Sequence, residues 1–370
     1  MILLKHDITK IFLVIIFFAI SNSCNKSTDF DTKIYFAQAA KTNILPLTID
    51  NGKGVLGLSL LATDIISDDV QAEIEILEDK YLEDYNKKSL TNYVPIPKSA
   101  ISFESNKFNI SKGKATSDNF LNLTVKDWVG YVDGAQYALP VRLVSKTGAQ
   151  VLPGADVIIV AVNKVIQTVA ANTTSGFSVS AEEVYGKGKA VNNITVEGKF
   201  LLTRNFIVPG NWRSDIFYGF GMQFVVFDKG GMDVRLPNSA FIFAEKPPLA
   251  TTLNTWTHFA LTYKDSQVTL FVNGEQVGSS YKYSDLPLNG LDFGTYTNGV
   301  NLSEFRIWDH VRSRQQLKTF ACAVDPSTEG LLGYWRFNEG TGNVVKDSSK
   351  GNHNLRANGA VNWVTGVKCP

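Results

Sequence analysis

Residues 210–219 combine the side-chain types that hold sugars. Trp212 and Tyr218 lie in this stretch between two glycines, together with Arg213 and Asp215. Aromatic rings stack on the C–H faces of sugars, and planar charged groups form hydrogen bonds with the hydroxyl groups. This loop is therefore a candidate ligand-binding site.

A second turn supplies two further candidates for the same site, Tyr296 and Asn298. The structural alternative is that Trp212 and Tyr218 fill the protein core or an interface between domains, as large aromatic side chains commonly do. A binding loop and a packing loop share this sequence pattern, and the packing interpretation is the favoured one.

The clearest pair of carboxylates, Glu73 and Glu75, lies on one face of a predicted strand. Glycosidases use two carboxyl groups that flank the scissile bond. Alternating glutamates are also typical of the solvated face of an amphipathic strand, and the surrounding stretch alternates in this way. The second interpretation is therefore favoured.

Other sequence patterns that can indicate catalysis are absent or lie in the wrong structural context. A Gly-x-Gly-x-x-Gly pattern at 52–57 is followed by a predicted strand, where dinucleotide binding needs a helix. His258, His310 and His353 lack the spacing that puts two metal ligands on one helix face. The sequence also lacks a Gly-x-Ser-x-Gly elbow, a phosphate-binding loop and a catalytic Cys–His signature. We therefore expect a protein that is not an enzyme.

The composition is that of a globular protein with room for two domains. Of 370 residues, 44% are hydrophobic and 19% are charged. The formal net charge of +1 comes from Lys5, Lys10 and Asp7, so the rest of the chain is neutral. A neutral chain has no electrostatic means of binding nucleic acid, and we expect no nucleic-acid partner.

The stretch 256–278 shows how the second half folds. Phe259, Leu261 and Tyr263 alternate with smaller or more polar residues, the period-two pattern of a half-buried strand. A second alternating run ends at Asn273-Gly274, a pair that tolerates the positive φ of a tight hairpin turn. This pattern predicts an antiparallel meander.

Three motifs carry a family resemblance. The meander starts with Trp-x-His and ends with Leu-Phe-Val-Asn-Gly, Phe-Arg-Ile-Trp and Val-Arg-Ser follow at 305–313, and LLGYWRFNEGTG at 331–342 precedes Asp-Ser-Ser at 347–349. In this order they resemble the laminin-G-like, concanavalin A-like lectin domain, over roughly 174–370. The resemblance implies an antiparallel β-sandwich of jelly-roll type that binds glycans. Trp256, Trp308 and Trp335 lie within these motifs and are predicted to be buried.

Laminin-G-like domains often hold calcium at their rim, so the resemblance also implies a metal site. Asp347, with Asn338 and Glu339 nearby in sequence, is the best local set of oxygen ligands. Asp and Asn are also turn formers that bond their own backbone. That structural role is the favoured interpretation of these residues.

The first half reads as short strands between turns, which predicts an immunoglobulin-like β-sandwich over 33–165. Its motifs resemble the N-terminal module of Bacteroides-type surface lipoproteins, where it looks like a spacer or docking module. The carrying motifs are 34–36 (IYF), Tyr85-Asn86, Tyr93-x-Pro95-x-Pro97, 110–113 (ISKG) and 137–141 (YALPV). The fold class expected for the chain is all-β, with this sandwich followed by the concanavalin A-like one at 174–370. Residues 163–175 lose periodicity and are predicted to be the loop between the two domains.

The N-terminus predicts export. Lys5 and Lys10 precede an apolar run at 11–20, which is too short to span a bilayer, so residues 1–23 are predicted to be a signal peptide. The position of Cys24 resembles a lipobox, which implies a lipid anchor in the outer membrane, on the cell surface or the periplasmic face. The alternative is an ordinary secretion signal with an incidental cysteine. Residues 24–32 are polar and predicted to be a tether.

Two cysteines remain in the exported chain, Cys322 and Cys369. An oxidising compartment favours a disulfide between them. The bond would join the C-terminus to the segment that follows the Phe-Arg-Ile-Trp motif.

Together these features predict a non-catalytic envelope lipoprotein that binds a glycan or polysaccharide. We expect it to be accessory to polysaccharide or host-glycan utilisation and to act with partner proteins of a glycan-uptake system. One alternative is an adhesin that binds a host or partner protein. A second alternative is a divergent glycoside hydrolase or its accessory subunit.

We expect a Cys24→Ala protein to lose incorporation of labelled fatty acid, because acylation needs the thiol. Metabolic labelling in the native host measures this, with the Cys322→Ala protein as the control that keeps the label. Unchanged labelling of the Cys24→Ala protein would contradict the anchor.

Overall fold

A computed structural model describes residues 31–172, 175–203, 213–227, 231–236, 241–244, 253–279, 286–295 and 300–369. β-Strands dominate both halves of the chain, as the alternating sequence patterns predicted. Across these ranges, no helix is long and apolar enough to cross a membrane.

The first module, residues 33–164, is a β-sandwich. Its strands are β1 (Lys33–Phe36), β2 (Ile44–Ile49), β3 (Lys53–Leu58), β4 (Leu60–Ala62), β5 (Val70–Ile76), β6 (Val94–Pro95), β7 (Ile101–Phe103), β8 (Lys107–Ile110), β9 (Leu121–Lys126), β10 (Tyr137–Ser145), β11 (Gln150–Val151) and β12 (Val157–Lys164). One sheet has the order β2-β12-β10-β5-β8, with β6 beside β10. The smaller sheets β3-β9-β7 and β11-β1-β4 complete the module around one apolar core. The predicted immunoglobulin-like sandwich is confirmed.

Helix α1 (Asp79–Ser89) lies between β5 and β6. An ion pair between Lys80 and Asp84, one turn apart, supports the helix. Leu82 is buried and anchors the helix against the sheet.

The second module is a larger sandwich with its core between two sheets. Its strands are β13 (Ile166–Asn172), β14 (Ser175–Val179), β15 (Ile194–Leu202), β16 (Arg213–Gly219), β17 (Met222–Phe227), β18 (Met232–Arg235), β19 (Phe241–Ala244), β20 (Trp256–Lys264), β21 (Gln267–Val272), β22 (Glu275–Ser279), β23 (Leu291–Thr295), β24 (Val300–Trp308), β25 (Leu331–Trp335), β26 (Val344–Val345), β27 (Leu355–Ala357) and β28 (Asn362–Cys369). Its helices are α2 (Ala181–Tyr185) and α3 (Arg314–Thr319).

We call the two layers the first and the second sheet. The first sheet has the order β22-β21-β20-β15-β24-β13-β28, with β25 beside β24, and the second has the order β19-β18-β17-β16-β23-β14-β27-β26. Their apolar faces meet in one core. The predicted meander is β20-β21-β22, and both of its turns, at Asp265-Ser266 and Asn273-Gly274, have two successive residues with positive φ.

The predicted loop at 163–175 contains a strand. β12 continues through Val165 into β13, which pairs with β24 and β28 of the second module. A register shift between Thr168 and Ala170 breaks the period-two pattern of β13, which is why the sequence showed no periodicity there. The modules are thus joined by a single residue between two paired strands.

The outer face of the first sheet is covered by residues 309–330, here called the covering segment. This segment includes α3, whose first turn is closed by a capping box between Ser313 and Gln316. A disulfide joins Cys322 of the segment to Cys369 at the end of β28, as the sequence predicted. The bond ties the covering segment to the edge of the sheet that it covers.

The covering segment also contacts the first module. Gly134 has a φ of +88°, and a Cβ there would lie 2.3 Å from the carbonyl carbon of Val324. Next to this contact Arg336 donates to Asp133, at 2.9 Å. The two backbones therefore approach closely at a position that only glycine can occupy.

Candidate functional site

The outer face of the second sheet carries rows of polar side chains, and we call it the polar face. Asp215 of β16 pairs with Val225 of β17, which pairs with Asp233 of β18. Directly opposed residues of neighbouring strands point to the same side of a sheet. These three side chains therefore form one row across the strands.

A second row runs parallel to the first. Tyr218 of β16 pairs with Gln223 of β17, and Gln223 pairs with Arg235 of β18. On its other side Tyr218 pairs with Asp292 of β23. The residues between the rows, such as Phe224, point into the core, as the alternation of a strand requires.

Hydrogen bonds link the rows and fix the two acidic side chains. Gln223 Nε2 donates to Asp215 Oδ2 at 2.8 Å, and Arg235 Nε donates to Asp233 Oδ2 at 2.9 Å. Asp215 is 3% exposed and Asp233 is 2% exposed. Buried carboxylates held by neighbours keep one orientation, so the hydrogen-bonding groups of this face are preorganised.

Tyr218 is the aromatic side chain that this face presents to solvent, with 38% of its surface exposed. Asn289 Nδ2 donates to its hydroxyl at 2.9 Å. Beside it, partial burial raises the pKa of the Asp292 carboxyl above its ordinary value. An open ring flanked by an amide and a carboxylate matches the groups that bind a sugar.

The structure brings together the described members of the predicted site. Asp215 and Tyr218 share the polar face, so Tyr218 does not fill the core. Arg213 opens β16, and its side chain lies outside the described residues, as do Trp212, Tyr296 and Asn298. Asp215 pairs with Thr295, the last residue of β23, so the start of β16 adjoins the end of β23. The two stretches predicted to act together thus lead to neighbouring strand ends.

Several polar-face residues were missed by the sequence analysis, namely Gln223, Asp233, Arg235, Asn289 and Asp292. A signal was present for three of them. Gln223 alternates with Met222 and Phe224, and Asp233 and Arg235 alternate with apolar neighbours in the same way. Polar residues at alternate positions of a strand that is otherwise apolar mark a polar sheet face.

Comparison with known families identifies both modules. A family of N-terminal domains matches residues 30–150. The concanavalin A-like lectin/glucanases superfamily matches residues 191–318, which include β15 to β24. The second module thus contains a concanavalin A-like domain. We call it the lectin-like domain below.

One solved structure shares the two-module fold. A candidate carbohydrate-binding protein from Bacteroides ovatus is similar with a TM-score of 0.58 and 21% identity, over 91% of this chain and 99% of that one. A heptameric SAP-like pentraxin from Limulus polyphemus gives a TM-score of 0.36 and 14% identity, over 54% of this chain and 96% of that one. Among curated proteins, none matches the chain. The Bacteroides likeness shows the two-module fold and does not by itself assign a ligand.

The residues expected to bind calcium in the lectin-like domain have protein partners. Asp347 Oδ1 accepts from the backbone N–H groups of Tyr334 and Ser349, and its Oδ2 accepts from that of His353. Glu339 accepts from the backbone of Lys346. In the described ranges no group of three or more His, Cys, Asp or Glu side chains is placed to hold a metal ion. Calcium binding by Asp347, Glu339 and the exposed Asn338 stays a prediction.

A buried charge cluster lies under the covering segment, on the outer face of the first sheet. Glu197 of β15 is fully buried. It contacts His258 Nε2 at 3.0 Å, accepts from Trp308 Nε1 at 2.8 Å and lies 3.5 Å from Arg306 Nη1. Arg306 also donates to Glu304, at 2.6 Å. Because β20 and β24 flank β15, this one carboxylate ties three strands together.

The side chains around Glu197 keep its carboxylate charged. Burial by itself raises the pKa of a carboxyl, but the hydrogen bond from His258 and the charge of Arg306 outweigh it and lower the pKa of Glu197 to about 2. Burial lowers the pKa of His258, more than Glu197 raises it. A neutral imidazole that donates to an ionised carboxylate is consistent with both directions.

The predicted burial of three tryptophans is confirmed for two of them. Trp308 and Trp335 are fully buried. Trp256 is only half-buried, and the ammonium of Lys199 lies 5.6 Å from its ring centre. Trp256 is the first residue of β20. At this end of the strand, one side of its ring is left uncovered.

We expect Glu197→Gln to lower the free energy of unfolding by about 3–5 kcal/mol at pH 7, because the buried charge of Arg306 then loses one of its two carboxylate partners and keeps only Glu304. The difference from wild type should shrink as the pH falls from 4.5 to 2. A carboxyl with a depressed pKa stabilises the fold above its ordinary pKa and loses that contribution as it is protonated, and glutamine does not titrate.

Denaturant unfolding at pH 7 and pH 3 measures both effects. Glu73→Gln is the matched control, because Glu73 is a partly exposed strand glutamate that pairs with Lys146 at 3.3 Å, and we expect a change below about 1 kcal/mol. A Glu197→Gln protein as stable as wild type at pH 7 would show that the cluster does not stabilise the domain.

Proposed function

We propose that this chain is a non-catalytic, lipid-anchored envelope protein whose lectin-like domain binds glycans on its polar face. The observation that carries the proposal is the pair of cross-strand rows on the second sheet, with two buried carboxylates held by Gln223 and Arg235. The concanavalin A-like fold and the likeness to a candidate carbohydrate-binding protein support the same ligand class.

The polar face offers the donors and acceptors that sugar hydroxyls need. Carboxylates and amides accept and donate pairs of hydrogen bonds, and Tyr218 supplies an exposed ring for a C–H face. Buried Asp215 and Asp233 hold the partly exposed side chains of Gln223 and Arg235 in place, so binding a sugar costs little ordering of these two side chains. A row of groups that extends across the strands fits several sugar units of a chain better than a single enclosed molecule.

The other sheet supports this choice of surface by exclusion. Its outer face lies under the covering segment, and Arg306 Nη1 donates to the backbone oxygen of Phe320 in that segment, at 2.8 Å. A ligand would have to displace a segment that is tied down by the disulfide.

The anchor and the location come from the sequence. A signal peptide at 1–23 followed by Cys24 would leave the lectin-like domain outside the inner membrane, attached to the outer membrane through lipid. In that place a glycan-binding protein serves polysaccharide or host-glycan capture, beside the proteins of an uptake system. The first module then acts as a spacer between lipid and lectin-like domain.

We expect Tyr218→Ala to weaken glycan binding by about 1–2 kcal/mol, roughly five- to thirty-fold in Kd, with little change in Tm. The ring is exposed, so its loss removes a contact with the ligand and leaves the core intact. A glycan array identifies the polysaccharide that wild type binds, and calorimetry with that polysaccharide gives the two dissociation constants.

Phe120→Ala is the matched control, since Phe120 is 78% exposed and lies on the first module. It should bind like wild type. Equal binding by wild type and Tyr218→Ala, or no binding to any glycan of the array, would contradict the proposal.

A further inference from the structure

A cavity lies away from the polar face, between the first module and the covering segment. Its volume is about 340 Å³. Asn92 and Gln136 of the first module line one side, and Arg312, Phe320 and Thr328 line the other. We call it the intermodule cleft. Clefts of this size between domains are common ligand sites.

Arg312 is the charged group that stands out in this cleft. Its side chain is 4% exposed, and its guanidinium lies 4.1 Å from the ring centre of Trp308 and 5.4 Å from that of Phe320. Its backbone N–H donates to Thr195, at 2.9 Å. Two rings and one backbone hydrogen bond therefore hold the side chain in one place.

Two of the three guanidinium nitrogens have no hydrogen-bond acceptor among the described residues. Arg312 Nε and Nη2 are buried, and neither has a hydrogen-bond partner in the part of the chain that the structure describes. The carboxylate that pairs with it, Glu197, is 4.0 Å from Nε, too far for a hydrogen bond. Glu197 is already engaged by His258 and Trp308. A buried arginine normally satisfies its donors with an anion, so these donors favour a ligand that carries an acid group.

We propose that the intermodule cleft binds an acidic sugar, with the carboxylate of a hexuronic acid on Arg312. Side chains that suit the rest of such a ligand surround the arginine. The amides of Asn92 and Gln136 and the hydroxyl of Thr328 serve the sugar hydroxyls, and Phe320 offers an apolar surface to the ring. A volume of about 340 Å³ holds one or two sugar rings.

Two carboxylates of the covering segment also line the cleft and limit the ligand's charge. Asp325 Oδ1 accepts from the backbone N–H and the hydroxyl of Ser327, at 2.8 and 2.7 Å, so this oxygen is held within its own turn. Glu329 is exposed at the rim, where water screens it. They disfavour a polyanion and leave room for a single acid group at Arg312.

The test is a titration of the whole mature protein with sodium glucuronate, followed by NMR or calorimetry. We expect wild type to bind glucuronate and to bind glucose at least tenfold more weakly, because glucose lacks the charged group. Arg312→Gln should weaken glucuronate binding about tenfold or more. Gln136→Glu should weaken it similarly by repulsion, and this half-buried side chain is replaced by one of the same shape, so the fold is kept.

Phe120→Ala serves as the control, since its ring is 78% exposed on the first module, lies outside both the intermodule cleft and the polar face, and should leave glucuronate binding unchanged. Failure of this inference is distinguishable from failure of the proposed function, because each surface has its own variant. Absence of glucuronate binding, equal binding of glucose, or unchanged binding in a folded Gln136→Glu protein would overturn the inference.

Discussion

The buried carboxylate of Glu197 is the interaction on which the rest of the lectin-like domain depends. A charge on the outer face of a sheet is stable in a buried position only when it is paired and when water is kept from its partners. His258, Arg306 and Trp308 pair it from the two flanking strands. The covering segment and its disulfide close the face, and this closure commits the first sheet to structure.

The same charges extend to the first module. Arg306 donates to Glu304, Arg336 lies between Glu304 and Asp133, and Asp133 belongs to the first module. With β12 passing directly into β13, the two modules are joined both by backbone and by a line of alternating charges. A joint of this kind holds the intermodule cleft in a fixed shape, as a ligand site requires.

The fold could be predicted from the sequence where polar and apolar residues alternate regularly, and could not be predicted where the alternation is interrupted. The meander β20-β21-β22 alternates without interruption and ends in Asn273-Gly274, so its turns and partners were predictable. β13 carries a register shift at 168–170, and local patterns do not show which distant strand a bulged segment will join.

The candidate site was predictable only in part, for a similar reason. Tyr218 and Asp215 were found through their residue types in one loop, whereas Asp233 and Arg235 join them through strand pairing over a distance in sequence. The charge cluster of Glu197 was missed entirely, because a glutamate inside an apolar strand signals neither its histidine nor its arginine partners, which lie on other strands.

The central claim is that glycans bind the second sheet and that the outer face of the first sheet is closed. Hydrogen–deuterium exchange of the whole protein, with and without the oligosaccharide selected on a glycan array, tests it most directly. We predict slower exchange on binding in β16, β17, β18 and β23, and unchanged exchange in β15 and β20. Protection confined to β15, β20 and the covering segment, with no change in β16 to β18, would contradict the account.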